Sequence, residues 1–303
     1  MKVENHSFGI YGKYMKNYFR ETFDESNARS IFQTNYNNYT LGQSFWSNQD
    51  NISLNLFWTK TYSGWGRFGS FNVNTRLPSP WSQTQFGYVQ GTWKHNQPLG
   101  KFLLKTRVFG QYGGGQNPTA ESALYAAAAN PEDMMDNKLM RDFGFIRLNQ
   151  AQFLQYGGGL NLRGYINTPI ALKQNDTSLA FFRGNSGISA NVEIDFTRIF
   201  SGVPRLKWIN IQTYLFGDAG IISQPVNQKQ LTSPIIADAG IGAMVNLKAN
   251  KKVIFKKSTY QKSILSEVNP LRLRIDIPFF KNITNNNENN LQFRLRFGIE
   301  RAF

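Results

Sequence analysis

Hydrophobic and polar positions alternate one by one along much of this chain. Leu291, Phe293, Leu295, Phe297, Ile299 and Phe303 share one parity; Gln292, Arg294, Arg296, Gly298, Glu300 and Ala302 share the other, with Arg301 the one departure. A strand sends successive side chains to opposite faces, so this segment has one apolar and one charged face. The pattern recurs. Leu271, Leu273, Ile275, Ile277 and Phe279 alternate with Arg272, Arg274 and Asp276; Ala239, Ile241, Ala243, Val245 and Leu247 with Asp238, Gly240, Gly242, Met244 and Asn246. Ile188, Ala190, Val192, Ile194 and Phe196 alternate with Ser189, Asn191, Glu193, Asp195 and Thr197. Ile209, Ile211, Thr213 and Leu215 alternate with Asn210, Gln212, Tyr214 and Phe216, which puts two aromatics on the polar side. Further strands are predicted near 101–112, 85–97, 66–77, 50–62, 29–41 and 6–18, although Met15 to Phe23 also fits a short helix.

Such strands suit either a soluble sandwich or a barrel with lipid outside and water within. Composition favours the barrel. Aromatic residues make up 15% of the 303 residues and charged residues only 17%, below the average of about 25% for soluble domains. No apolar run is long enough for a membrane-crossing helix, but a barrel strand crosses with about 9–11 residues. The fold expected is an all-β, transmembrane, antiparallel up-and-down barrel of about 12 strands (range roughly 10–16, even numbers favoured), spanning 1–303 as one domain with 1–28 an uncertain N-terminal segment. Trp58, Tyr62, Trp65, Trp81, Trp93 and Tyr112 recur near strand ends, where interfacial girdles would lie. The start, Met1 to His6, has no apolar core of a signal peptide, which reads as a mature form.

With the C-terminus placed in the periplasm, the turns at 63–66, 97–100 and 200–206 are periplasmic and short. Residues 113–186 become one long extracellular loop, and 248–268 a periplasmic excursion.

The chain has no cysteine and two histidines, His6 and His95. No thiolate metal site exists, no metal or cofactor is expected, and no nucleophile–base pair points to an enzyme. The net charge of +15 is read as a cationic lumen and Lys-rich loops rather than a nucleic-acid surface. Lys248, Lys251, Lys252, Lys256, Lys257 and Lys262 crowd the 248–268 segment, a solvated tongue or a contact for anionic lipid or a periplasmic partner. Ala126 to Ala129 suggests a short helix or loop. Glu132, Asp133 and Asp136 fit a solvated acidic loop better than a calcium site, because their spacing matches no calcium loop.

The long loop contains Gly157-Gly158-Gly159-Leu160-Asn161-Leu162-Arg163-Gly164-Tyr165. This resembles the loop motif of the BamA-like surface-antigen family. Phe216-Gly217-Asp218-Ala219-Gly220 is similar to that family's acidic strand motif, Glu193 is placed like its acidic partner, and Asn269-Pro270-Leu271-Arg272 resembles its penultimate-strand motif with Asn in place of Gly. The terminal Phe303, closing the strand of Leu295, Phe297 and Ile299, resembles the C-terminal assembly signal of outer-membrane proteins. The resemblance covers about 100–303. It implies a bacterial outer-membrane location, a loop folded into the lumen with Gly158, Gly159, Leu162, Arg163, Gly164 and Tyr165 as a clasp onto Glu193 and Asp218, and a role in membrane-protein insertion, translocation or membrane perturbation. Its partners would be outer-membrane lipids and unfolded outer-membrane proteins. The family's periplasmic POTRA modules have no room in the N-terminal segment as read. A membrane anchor and a passive pore, anion-leaning through Arg272, Arg274, Arg294 and Arg296, stand as alternatives. The sequence is silent on oligomeric state.

Without the motif order, the residues favour a surface loop with a solvated Arg163; with it, the inward clasp is expected. A guanidinium is a planar fork that suits two-point pairing with carboxylates. A buried Arg without a partner is costly, so an inward Arg163 needs acids at hand.

Overall fold

The computed structural model describes residues 3–15, 50–116, 120–130, 132–133, 154–166, 170–174, 177–181, 183–200, 209–226, 229–247, 272–282, 291, 293 and 295–299. Ten wall strands run in chain order: β1 (Val3–Met15), β2 (Asn51–Gly64), β3 (Arg67–Pro78), β4 (Gln85–Leu99), β5 (Phe102–Gln116), β6 (Ser186–Asp195), β7 (Ile209–Val226), β8 (Ile236–Leu247), β9 (Arg272–Lys281) and β10 (Arg296–Ile299). Each pairs antiparallel with the next. Two shorter segments complete a twelve-stranded sheet: Lys229–Thr232 extends β7 as a hairpin, and Leu154–Tyr156 lies parallel on β10. Among the described residues no ladder joins β1 to β10. Expected strand 29–41 lies outside the described residues.

The alternation read from the sequence is the alternation of burial. In β6, Ser189, Asn191, Glu193 and Asp195 are buried while Ile188, Val192 and Ile194 are exposed. Leu273, Leu295 and Phe297 are exposed, whereas Arg274, Asp276 and Arg296 are buried. Apolar outside and charged inside is the reverse of a soluble domain, and it is the order a lipid-facing barrel wall requires. Tyr214 and Phe216 face inward, as their parity indicates.

Strand ends carry the expected aromatics. Trp65 sits in the two-residue turn between β2 and β3 with Gly66, both at positive φ, the geometry that matches strand twist. Trp65 is 91% exposed there, and Trp81 is 82% exposed at the opposite end between β3 and β4. Tyr62, Trp93 and His95 form an outward-facing cluster: Trp93 Nε1 donates to Tyr62 Oη at 3.1 Å, and Tyr62 Oη lies 2.8 Å from His95 Nδ1.

Inside the wall lies the loop between β5 and β6. Leu124, Ala126, Ala127, Leu160, Leu162, Tyr165, Ile166 and Ile170 of the loop form a buried apolar cluster with Phe109, Ile222 and Ile236 of the wall. The stretch 126–129 forms bends rather than a helix, and three of its four residues are buried. The loop touches wall strands from β1 round to the end of β9, so the sheet curls about it.

Candidate functional site

Arg163 sits at the centre of the loop's inward turn, with no exposed surface. Its Nε donates to Asp218 Oδ2 at 2.7 Å and its Nη2 to Asp218 Oδ1 at 2.8 Å. This is a two-point fork onto one carboxylate. Nη1 donates to Glu193 Oε1 at 2.7 Å, and the Arg163 backbone N–H reaches Asp218 Oδ2 at 3.3 Å. Charge-assisted bonds of this length are the strong kind. The guanidinium lies 3.9 Å over the Phe216 ring, so the inward aromatic of β7 serves as its floor. Phe216 and Tyr214 have space because β8 carries glycine opposite them: a Cβ at Gly240 or Gly242 would stand 2.4 Å from the respective ring. Burial opposes the charge on Arg163 and Asp218 favours it; the net effect raises its pKa, so the group stays charged.

Other groups complete the arrangement. Asn191 Nδ2 donates to Asp218 Oδ1 at 3.0 Å, and lies 3.2 Å from the carbonyls of both Leu160 and Asn161. Arg107 donates to Asn191 Oδ1 at 2.8 Å and to the Gly159 carbonyl at 2.7 Å. The structure therefore brings Glu193, Asp218 and Arg163 together and adds Arg107, Asn191 and Phe216. Sequence parity placed Asn191 and Phe216 on the inner face but gave no reason to join them to the motif, and Arg107 was not assigned to a face.

The remaining motif residues have distinct places. Gly158 packs against Ala129, leaving 2.7 Å between a built Cβ and Ala129 Cβ. Leu162 is fully buried in the lumenal cluster. Gly164 lies against Asp238, which stands opposite Asp218 on the ladder. Tyr165 Oη donates to Asn282 Oδ1 at 2.8 Å, just past β9. Of the terminal residues, Leu295 and Phe297 face outward, Ile299 lies in β10, and Phe303 is outside the described residues.

The first part of the loop has its own fastening, which the sequence did not suggest. Glu132 is buried, not solvated. Its Oε2 accepts from Ser122 Oγ at 2.6 Å and lies 3.5 Å from Arg76 Nε, while Oε1 lies 3.6 Å from Lys13 Nζ. Asn51 Nδ2 donates to Ser122 Oγ at 3.1 Å, and Arg76 also donates to Asn51 Oδ1 and the Phe86 carbonyl. The reading of an acidic solvated loop is corrected here: an inward Arg of β3 draws Glu132 into the lumen. Asp136 lies outside the described residues, and no grouping of metal-binding side chains occurs among the described ones. Replacing Arg76 with Met should leave Glu132 buried without its guanidinium and cost about 3 kcal/mol of unfolding free energy, measured by urea titration in detergent.

The arginines behind the anion-leaning alternative are also placed. Arg274 Nε pairs with Asp276 Oδ2 at 2.7 Å, and Tyr214 Oη donates to the same carboxylate at 2.7 Å. Arg274 is thus neutralised, Arg296 is buried, and Arg294 is outside the described residues.

No family model and no curated protein matches this chain. Among solved structures, it is similar to BamA from Haemophilus ducreyi lacking POTRA domains 1–3, at 16% identity and a TM-score of 0.42, over 98% of this chain and 50% of that one. The chain spans about half the length of that protein.

Proposed function

We propose that this protein is a bacterial outer-membrane β-barrel of the BamA-like type that acts through its wall, in membrane-protein insertion, translocation or local perturbation of the bilayer, and not as an open pore or an enzyme. One observation carries the reading. The described part of the long loop lies inside the wall and is fixed at two places, through Glu132 to Lys13 and Arg76 and through Arg163 to Glu193 and Asp218. A plugged lumen leaves the wall and its ends as the working surface. The exposed apolar belt supplies the lipid contact. The loop motif's likeness to the surface-antigen family points to the same class of work, with unfolded outer-membrane proteins as the substrate.

The test is reconstitution in vesicles with an unfolded outer-membrane protein supplied from outside. The reading expects faster insertion than in protein-free vesicles, together with low conductance of the same preparation in planar bilayers. High steady conductance with no effect on insertion would establish a passive pore instead. Low conductance with no effect on insertion would leave an anchor.

A further inference from the structure

A cavity of about 370 Å³ lies inside the wall, between the inner faces of β2 to β5 and the glycine stretch of the loop. Its size suits a small ligand. Its wall carries amides and hydroxyls, including Asn72, Gln90, Thr92 and Gln111, beside the apolar Phe109 and Leu124. Two cations face it, Lys94 of β4 and Arg107 of β5, and they are direct partners on the ladder. Like charges placed opposite each other repel; the Asp218 carboxylate offsets part of this at Arg107, but it is shared with Arg163. Lys94 has Arg107 as its electrostatic neighbour. Arg107 is buried, uses its Nη atoms on the neutral Asn191 and Gly159 oxygens, and has a buried Nε with no hydrogen-bond partner.

The surrounding acids are engaged elsewhere. Asp218 and Glu193 hold Arg163, and Asp195 holds Lys105 at 3.2 Å. Asp133 also lines the cavity, and its charge acts on Tyr88.

From this placement we infer that the cavity is a binding site for a small oxyanion, phosphate or carboxylate in chemistry, held between Lys94 and Arg107 and hydrogen-bonded by the amides and hydroxyls around them. The inference stands independently of the function proposed above.

The experiment uses the full chain folded in a neutral detergent. Thermal unfolding is followed by tryptophan fluorescence while sodium phosphate replaces chloride at constant ionic strength. A ligand of the folded state raises the midpoint in a saturable way. The wild type should show this, Lys94→Arg should retain it, and Lys94→Gln should need about tenfold more phosphate, the loss of one charge-assisted bond. An equal rise in wild type and Lys94→Gln would reflect only the general stabilising effect of phosphate and would overturn the site, as would no rise at all. If Lys94→Gln fails to fold, ³¹P line broadening of phosphate by the wild type decides: broadening reversed by sulfate supports the site, and its absence ends it. A separate arm compares phosphatidylglycerol with phosphatidylcholine vesicles, free of phosphate. Equal midpoints fit a soluble ligand in the lumen; a rise confined to phosphatidylglycerol and abolished in Lys94→Gln would move the site to a lipid headgroup and overturn the lumenal assignment.

Discussion

Replacing Arg163 with methionine should lower the unfolding free energy by about 3–5 kcal/mol. Methionine fills much of the same space but leaves Glu193 and Asp218 buried without their counter-charge, 2.7 Å from where the guanidinium stood. The cost comes from the stranded carboxylates rather than from lost packing. Neutralising them should therefore restore stability: the triple variant Arg163→Met, Glu193→Gln, Asp218→Asn is expected to recover much of the loss. Urea titration in detergent, followed by tryptophan fluorescence, measures both. A triple variant no more stable than Arg163→Met would refute the assignment of the cost to buried charge. Arg163→Lys should fall between, because an ammonium keeps the charge but cannot span both oxygens of Asp218 and Glu193 at once. The same substitutions report on the loop. If the clasp holds it in the lumen, planar-bilayer conductance should rise for Arg163→Met and stay low for the wild type.

The second large effect is expected at Gly159. Its φ is +56°, and an added Cβ would stand 2.6 Å from the Ala128 carbonyl oxygen and 2.7 Å from that of Tyr125. Both obstacles are backbone, so neither can swing away. Left-handed backbone costs a non-glycine residue about 1–2 kcal/mol, and overpacking adds about 1–3 kcal/mol. Gly159→Ala should therefore destabilise by roughly 2–5 kcal/mol and disturb the Arg107 bond to the Gly159 carbonyl. Gly110→Ala on β5 is the control, since nothing stands within 4 Å of a Cβ built there and its φ is not positive. Equal effects of the two substitutions would show that the conformation at 159 is not what matters.

Much of the wall was legible in the sequence because a strand in a barrel has two environments and a period of two. That is why β6 and β9 could be assigned face by face from Ile188–Asp195 and Leu273–Ile277. The short turns at 63–66 and 97–100 were legible for a similar reason: a tight hairpin needs few residues, and glycine marks the place. The position of Glu132 was not legible. An acid in a polar stretch looks solvated until a partner is known, and Arg76 lies far from it in sequence. Nor could alternation show that Gly240 and Gly242 make room for Phe216 and Tyr214, because the vacancy and the ring belong to different strands.

By itself, then, the sequence determined the strand pattern and, from β6 onward, the greasy outer face and the groups turned inward. These follow from local chemistry, the alternation of side chains along one strand. Only the tertiary structure decided which inward charges meet: Arg163 with Asp218 and Glu193, Arg76 with Glu132, and Lys94 beside Arg107. Pairing depends on register between strands and on the path of the loop, and both are set by how the whole wall curls around what it encloses.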